Sequence, residues 1–196
     1  MKFILPLQAV INAQHCTATN EVRYYLEGLH VTKSAIQATN GHYLYQAKFK
    51  EIEYPDYLPE WRSNFELPDS MIIKMKQKIK SPVKKLGCQF VTFEVEESKV
   101  IATTIDGFGR PVGVFLGEVV DGRFPDAEKV IPSGEQESHA QIGFNSAYLK
   151  KVDQVSDGKF SSVKLKTYGE NRAAVFEILS LNEHYNAVFV LMPIRL

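Results

Sequence analysis

The chain has 196 residues, 44% of them apolar, enough to bury one or two ordinary cores. Its 23 Lys and Arg balance 23 Asp and Glu, so overall charge names no partner and only the distribution of charge can. Cys16 and Cys88 lie far apart and form no CxxC pair, which excludes a disulfide framework and fits buried free thiols in a reducing, cytoplasmic setting.

The first seven residues faintly imitate a signal peptide. Pro6 and Gln8 break the apolar run and no small-residue cleavage site follows, so none is expected. No apolar run approaches membrane-spanning length. Residues 5–17 carry a helical pattern: Leu5, Ala9, Val10, Ile11 and Ala13 can share a face, and Pro6 suits a first turn. Residues 22–29 and 35–46 read as strands rich in β-branched and aromatic residues. Pro55, Pro59 and Pro68 make 51–69 a long loop pinned by Trp61 and Phe65. A short strand at 71–73 precedes a lysine-rich stretch, 74–87, which is read as helical with a kink or break at Pro82. Strands follow at 90–95, 100–105 and 112–119, with turns at Glu97-Ser98 and Asp106-Gly107. Residues 140–143 start a third group, Ser146 is placed to cap a helix running to Val155, and strands span 162–167, 173–179 and 187–192. The pattern is α+β. Each of the tandem units is one strand, one helix and three strands, and helix starts recur at about 70 residues.

No catalytic constellation is present. His15, His30, His42, His139 and His184 are scattered without metal-ligand spacing, so no metal and no cofactor is expected. Gly107-Phe108-Gly109 lacks dinucleotide-binding spacing and reads as a turn. The acid pair Glu96-Glu97 sits at a hairpin tip. One charge cluster stands out: Lys74, Lys76, Lys78, Lys80, Lys84 and Lys85, with no acid among them. Such runs are ordinarily solvated faces; this one can also track phosphates, joined by Lys150 and Lys151 and by Lys159, Lys164 and Lys166. The last residues, Asn186 to Leu196, form an apolar strand that stops at Pro193 and ends on an apolar-basic-apolar tip, which is expected to dock.

That ending resembles the C-terminus of the bacterial β sliding clamp, the processivity subunit of DNA polymerase III. Three further blocks carry the resemblance in the family's order: Val22-Arg23-Tyr24-Tyr25-Leu26 with Ala38 to His42; Asp121 to Asp126 with Val130-Ile131-Pro132; and Ile142 to Asn145 with Tyr148-Leu149. The resemblance implies a non-enzymatic DNA clamp fold, with antiparallel sheets outside and helices lining a ring. It also implies a division into a complete clamp domain at 1–135, built of half units 1–50 and 69–135 joined by loop 51–68. A lone half-domain at 136–196 would match the end of the last clamp domain. The family's first domain, and the first half of its last, have no counterpart.

By the same resemblance the lysine-rich helix would line the hole, and Asn20, Arg23, Tyr24 and Tyr25 would touch duplex DNA. A pocket for short motifs of DNA polymerase and clamp loader would comprise Leu26, Thr39, Gly41, His42, Leu44, Pro125, Lys129, Val130, Ala174, Val190, Leu191, Met192, Pro193, Ile194, Arg195 and Leu196. Asn40 (family Asp), Tyr43 (family Arg) and Lys129 (often Arg) depart from the pattern. An apolar groove with a few polar groups is how short peptides are gripped; the same residues could instead seal a joint between units. The family ring holds twelve half-domain units, so three per chain implies a homotetramer of D2 symmetry, with a dimer as the alternative. A competing function is a clamp-mimic regulator that binds clamp peptides, or a full-size clamp, without encircling DNA.

Overall fold

A computed structural model describes residues 1–50, 65–80, 87–137, 141–156, 162–179 and 183–195. Eleven strands form one antiparallel sheet: β1 (Lys2–Pro6), β2 (Leu29–Val31), β3 (Ala35–Thr39), β4 (Tyr43–Phe49), β5 (Met71–Met75), β6 (Phe90–Glu96), β7 (Lys99–Ile105), β8 (Pro111–Val119), β9 (Ser162–Lys166), β10 (Ala174–Leu179) and β11 (Tyr185–Leu191). Their order is β1-β6-β7-β8-β5-β2-β3-β4-β11-β10-β9. β1 crosses to pair with β6, and β5 crosses the other way to pair with β2. Residues 1–49 and 71–119 thus exchange strands. β4 then pairs with β11 from Tyr43↔Leu191 to Tyr185↔Phe49, so the first fifty residues sit between the other two strand groups.

Alternation along the strands feeds two cores. Tyr43, Tyr45 and Ala47 of β4, with Ala187, Phe189 and Leu191 of β11, face α1 (Leu7–Gln14) and α3 (Ser146–Gln154) and join Val10, Ala13, Tyr148 and Val152 in the larger cluster. Leu44 and Val190 point the other way, into a second cluster with Leu26, Phe124, Tyr168 and Val175. Full burial of a side chain such as Phe189 contributes about 1.5–3 kcal/mol. The buried amide of Asn12 on α1 donates to the Val155 carbonyl at 2.9 Å, tying the two helices together.

Several sequence expectations are corrected. The helix expected at 5–17 is shorter, Leu7–Gln14, because Leu5 and Pro6 are drawn into β1 opposite Val91 and Phe90. The strand expected at 22–29 is a 3-10 helix, Tyr24–Glu27, closed by Leu26 N–H donating to the Arg23 carbonyl at 2.8 Å, and β2 begins only at Leu29. Residues 35–46 are a hairpin, β3 and β4, turned at Asn40 to His42. The helix expected from Lys74 is absent over 74–80: Lys74 and Met75 extend β5 opposite Glu118 and Gly117, and Lys76 N–H donates to the Leu116 carbonyl. Ile79 is buried there, its backbone clasped by the Gln14 amide through bonds of 2.8 and 3.0 Å. Residues 81–86, with Lys84, Lys85 and Pro82, lie outside the described residues, as do Trp61, His139 and Lys159. Of the strand expected at 140–143, residue 140 lies outside the described residues, and 141–143 make only a bridge between Gly143 and Ile194. α3 is capped by Asn145, whose side chain accepts from Ala147 N–H at 2.9 Å, rather than by Ser146.

Candidate nucleic-acid interface and peptide groove

On the face opposite the helices, Leu44, Val190 and Val175 stand in one row across β4, β11 and β10. Leu26, Phe124 and Ala127 join the row in one buried cluster, the candidate groove. Phe124 stacks on the buried His30 at 4.5 Å. Tyr168 belongs to the same cluster, with the Arg172 guanidinium 5.7 Å from its ring. His30 bonds Gln37 at 3.0 Å and Ser70 at 2.9 Å, and burial holds its pKa below the ordinary value.

The lip of the groove is the β3–β4 turn. Gly41 has φ +90°, where a side chain is strained. Thr39 is buried and braces the turn, its hydroxyl donating to the Tyr43 carbonyl at 2.6 Å and accepting from Gly41 N–H at 3.0 Å. The Asn40 side-chain oxygen accepts from His42 and Tyr43 N–H, a task that needs only an acceptor and is therefore open to Asn as to Asp. His42 stacks on Tyr148 of α3 at 5.3 Å.

Pro125, Lys129 and Val130 are exposed on and before α2 (Ala127–Val130), and Lys129 pairs with Asp126 at 3.4 Å. The tail is docked through its backbone: Met192 N–H donates to the His42 carbonyl and Ile194 N–H to the Gly143 carbonyl. The side chains of Met192 and Ile194 stay 45% and 48% exposed. Beside them a cleft of about 360 Å³ is lined by Gln141, Gly143, Glu170, Asn171, Ile194 and Arg195. Leu196 lies outside the described residues.

Ala174 and Leu191 belong to the helix-side core, not to the groove; alternation puts Ala173, Val175 and Val190 there instead. Tyr43 also faces the helices, and burial pushes its hydroxyl up to about 12. Phe124 and Tyr168 escaped the sequence reading, although Phe124 stands inside the Arg-Phe-Pro block that carried the resemblance.

The candidate basic residues divide. Lys76, Lys78, Lys80 and Lys150 are exposed. Burial, and then the charges of Lys78 and Lys151, lower the pKa of His15 at the end of α1. Asn20, Lys74 and Lys78 share a cleft of about 200 Å³ with Thr17 and Thr19. Lys74 is not free, because Glu27 holds its ammonium. Arg23 stands apart from the lysines, its Nε donating to Glu21 at 2.9 Å and its guanidinium lying against Gly41. Tyr24 is exposed, whereas Tyr25 packs against Gly122 beside the groove, so the pair divides as expected but on a 3-10 helix rather than on a strand. Lys164 and Lys166 lie in register with Glu177 and Val175, on the groove side of the sheet away from α3, and Lys166 pairs with Glu177. They therefore do not extend a basic helix face.

Among the described residues no three His, Cys, Asp or Glu are grouped to hold a metal, and no helix is long and apolar enough to cross a membrane. Burial pushes the Cys16 thiol up to about 12, which makes it a core residue rather than a nucleophile.

No protein-family model matches the sequence, and no curated protein matches it. Solved structures do. The DNA polymerase III beta subunit of Pseudomonas aeruginosa superposes over 100% of this chain and 67% of its own, at TM-score 0.61 and 18% identity. The Bacillus subtilis sliding clamp does so over 100% and 64%, at 0.63 and 14%. The Bartonella birtlesii sliding clamp, bound to griselimycin, does so over 100% and 66%, at 0.59 and 19%. This chain thus spans about two thirds of the length of the clamps it matches. Its strand exchange, its single antiparallel sheet and the packing of α1 and α3 on one face are the DNA clamp fold of the bacterial DNA polymerase III beta subunits.

Proposed function

We propose that this chain is a cytoplasmic, non-enzymatic DNA sliding clamp that surrounds duplex without reading bases and holds polymerase and loader peptides in its groove. The observation that carries the reading is the β4–β11 seam: it joins residues 43–49 to 185–191 and sets a buried apolar cluster on the side away from α1 and α3, where the peptide motifs would dock. The charges of Lys78 and Lys151 both act on His15, which supports a phosphate-facing surface drawn from distant parts of the chain. Asn20, Lys76, Lys80, Lys150 and the exposed Tyr24 extend it.

We further propose the division at residue 135 and a closed ring of four chains. The sheet order sets 71–119, 1–49 and 162–191 in a row, and neighbouring units in such rings alternate in direction. Ends of like direction then meet their own kind, which makes the contacts isologous and the symmetry D2. Light scattering should give four times the 22.2 kDa chain mass. The protein should stay on nicked circular duplex in high salt and slide off once the circle is cut. A stable monomer that still binds clamp peptides would favour the clamp-mimic reading, and equal loss from circles and linear DNA would refute encirclement.

A further inference from the structure

The chain makes one kind of contact twice. β1, which runs straight into α1, lies antiparallel on β6 from Lys2↔Glu94 to Pro6↔Phe90. β5 lies antiparallel on β2 from Met71↔Val31 to Ile73↔Leu29. In both, the leading strand of one group pairs with the second strand of the other group, never with the second strand of its own. In both, the first residue of the receiving strand, Phe90 or Leu29, faces the end of the leading stretch, Pro6 or Ile73.

The third group, α3 with β9, β10 and β11, holds both halves of this contact and uses neither. Gln141 to Gly143 stand before α3 as β1 stands before α1, and among the described residues their one strand-like pairing is the Gly143–Ile194 bridge. The receiving strand is β9. It has β10 on one side and, among the described residues, no strand on the other. Val163 and Leu165, on its α3 side, are 38% and 49% exposed. The helix shows the same gap: α1 buries six of its eight residues, whereas α3 buries none of its nine.

We infer that a second copy of this chain fills the gap by strand exchange, with Gln141 to Gly143 of each copy lying along β9 of the other about a twofold axis. No group receives its own leading strand, and residues 1–49 and 71–119 have already spent theirs on each other. The strand that β9 lacks therefore comes from another third group. The register follows from the two observed pairs. Gly143 faces Ser162 of the partner subunit, Ile142 faces Val163 of the partner subunit, and Gln141 faces Lys164 of the partner subunit. Apolar then meets apolar, and an amide oxygen meets an ammonium. Pairing β9 with a second β9 about its centre would instead set Lys164 against itself, like charges opposed. Exchange makes the contact isologous and closes both open edges at once. It supplies one of the two joints that the proposed ring of four chains requires, and rests on that reading.

The test uses the full chain with Cys88→Ser; Cys16 is buried and stays in place. Two tagged forms, one with Ile142→Cys and one with Val163→Cys, are made separately and by co-expression. Directly opposed strand residues suit a disulfide. Mild oxidation of the co-expressed forms should therefore give a band at twice the 22.2 kDa chain mass that carries both tags. Neither form should link to itself. If light scattering shows several chains together but the co-expressed forms do not link, or if either form links to itself, the exchange is overturned while the ring stands. If the protein is a single chain in solution, the exchange and the ring fall together. A dimer in solution that links only when the two forms are co-expressed upholds the exchange and refutes the ring.

Discussion

The two sides of the β10–β11 pair differ sharply. On the inner side, β11 is sealed to β4 along its whole length, and Ala187, Phe189 and Leu191 are buried against Ala47, Tyr45 and Tyr43. On the outer side, β9 has no strand neighbour but β10 among the described residues. Val163 and Leu165 stand opposite Ile178 and Phe176, on the same core face, yet are 38% and 49% exposed. The core is complete at the seam and cut at the edge. An edge strand with unpaired backbone and exposed apolar side chains is a template for another strand, which is why the seam is read as the permanent joint and the edge as one place where the ring closes.

The strongest way to break this contrast is at the seam. Phe189→Ala should cost about 3–5 kcal/mol, because a fully buried ring leaves a cavity that rigid strands cannot close. A urea titration showing a loss below about 1 kcal/mol would mean that the seam is not a core. Next in size, under the proposed clamp reading, removing Arg195 and Leu196 should weaken binding of a clamp-motif peptide by about 2 kcal/mol, as for an interface anchor; an unchanged affinity would leave the tail a structural role only.

Acid should also act on the outer side of the seam. His30 is kept neutral by burial, so its folded pKa lies below the unfolded 6.5. The unfolded chain takes up the proton first, and stability should fall as pH drops below 6.5, by up to about 1.4 kcal/mol per pH unit from this group. His15 and His184 are lowered in the same sense, so the His30 share is read as the slope that His30→Gln removes between pH 6.5 and 5.5. Identical slopes would mean that His30 titrates normally. The smallest effect on chain stability is expected at the open edge: Leu165→Ser should change the unfolding free energy by no more than about 0.5 kcal/mol, the range of surface substitutions, while reducing the mass seen by light scattering. A large stability loss with unchanged mass would show that the edge is covered within one chain.

The parts of the site that lie on strong local signals were legible. Val188 to Leu191 announces a strand ending at Pro193, whereas the turn at Asn40-Gly41-His42 lies inside a stretch that reads as a single strand, 35–46. Lys74 to Lys80 was misread because lysine alternating with Met75, Gln77 and Ile79 fits a strand as well as a polar helix. The backbone of β8, available opposite Lys74 and Met75, decided for the strand. Residues 22–29 were misread for the converse reason: their β-branched and aromatic content suits a sheet, but Leu26 bonds back to Arg23 and Ala18 and leaves no ladder to join.

By itself, the sequence determined the strands at 90–95, 100–105 and 112–119, the turns at Glu97-Ser98 and Asp106-Gly107, and the presence of a lysine-rich stretch in a chain of zero net charge. Those properties depend on side chains a few residues apart. Only the tertiary structure decided that β1 crosses to β6, that Ala174 and Leu191 face the helices while Val175 and Val190 face the other side, and that the charges of Lys78 and Lys151 both act on His15. A one-residue change of register reverses every such face, and register is set by contacts between residues distant in the chain.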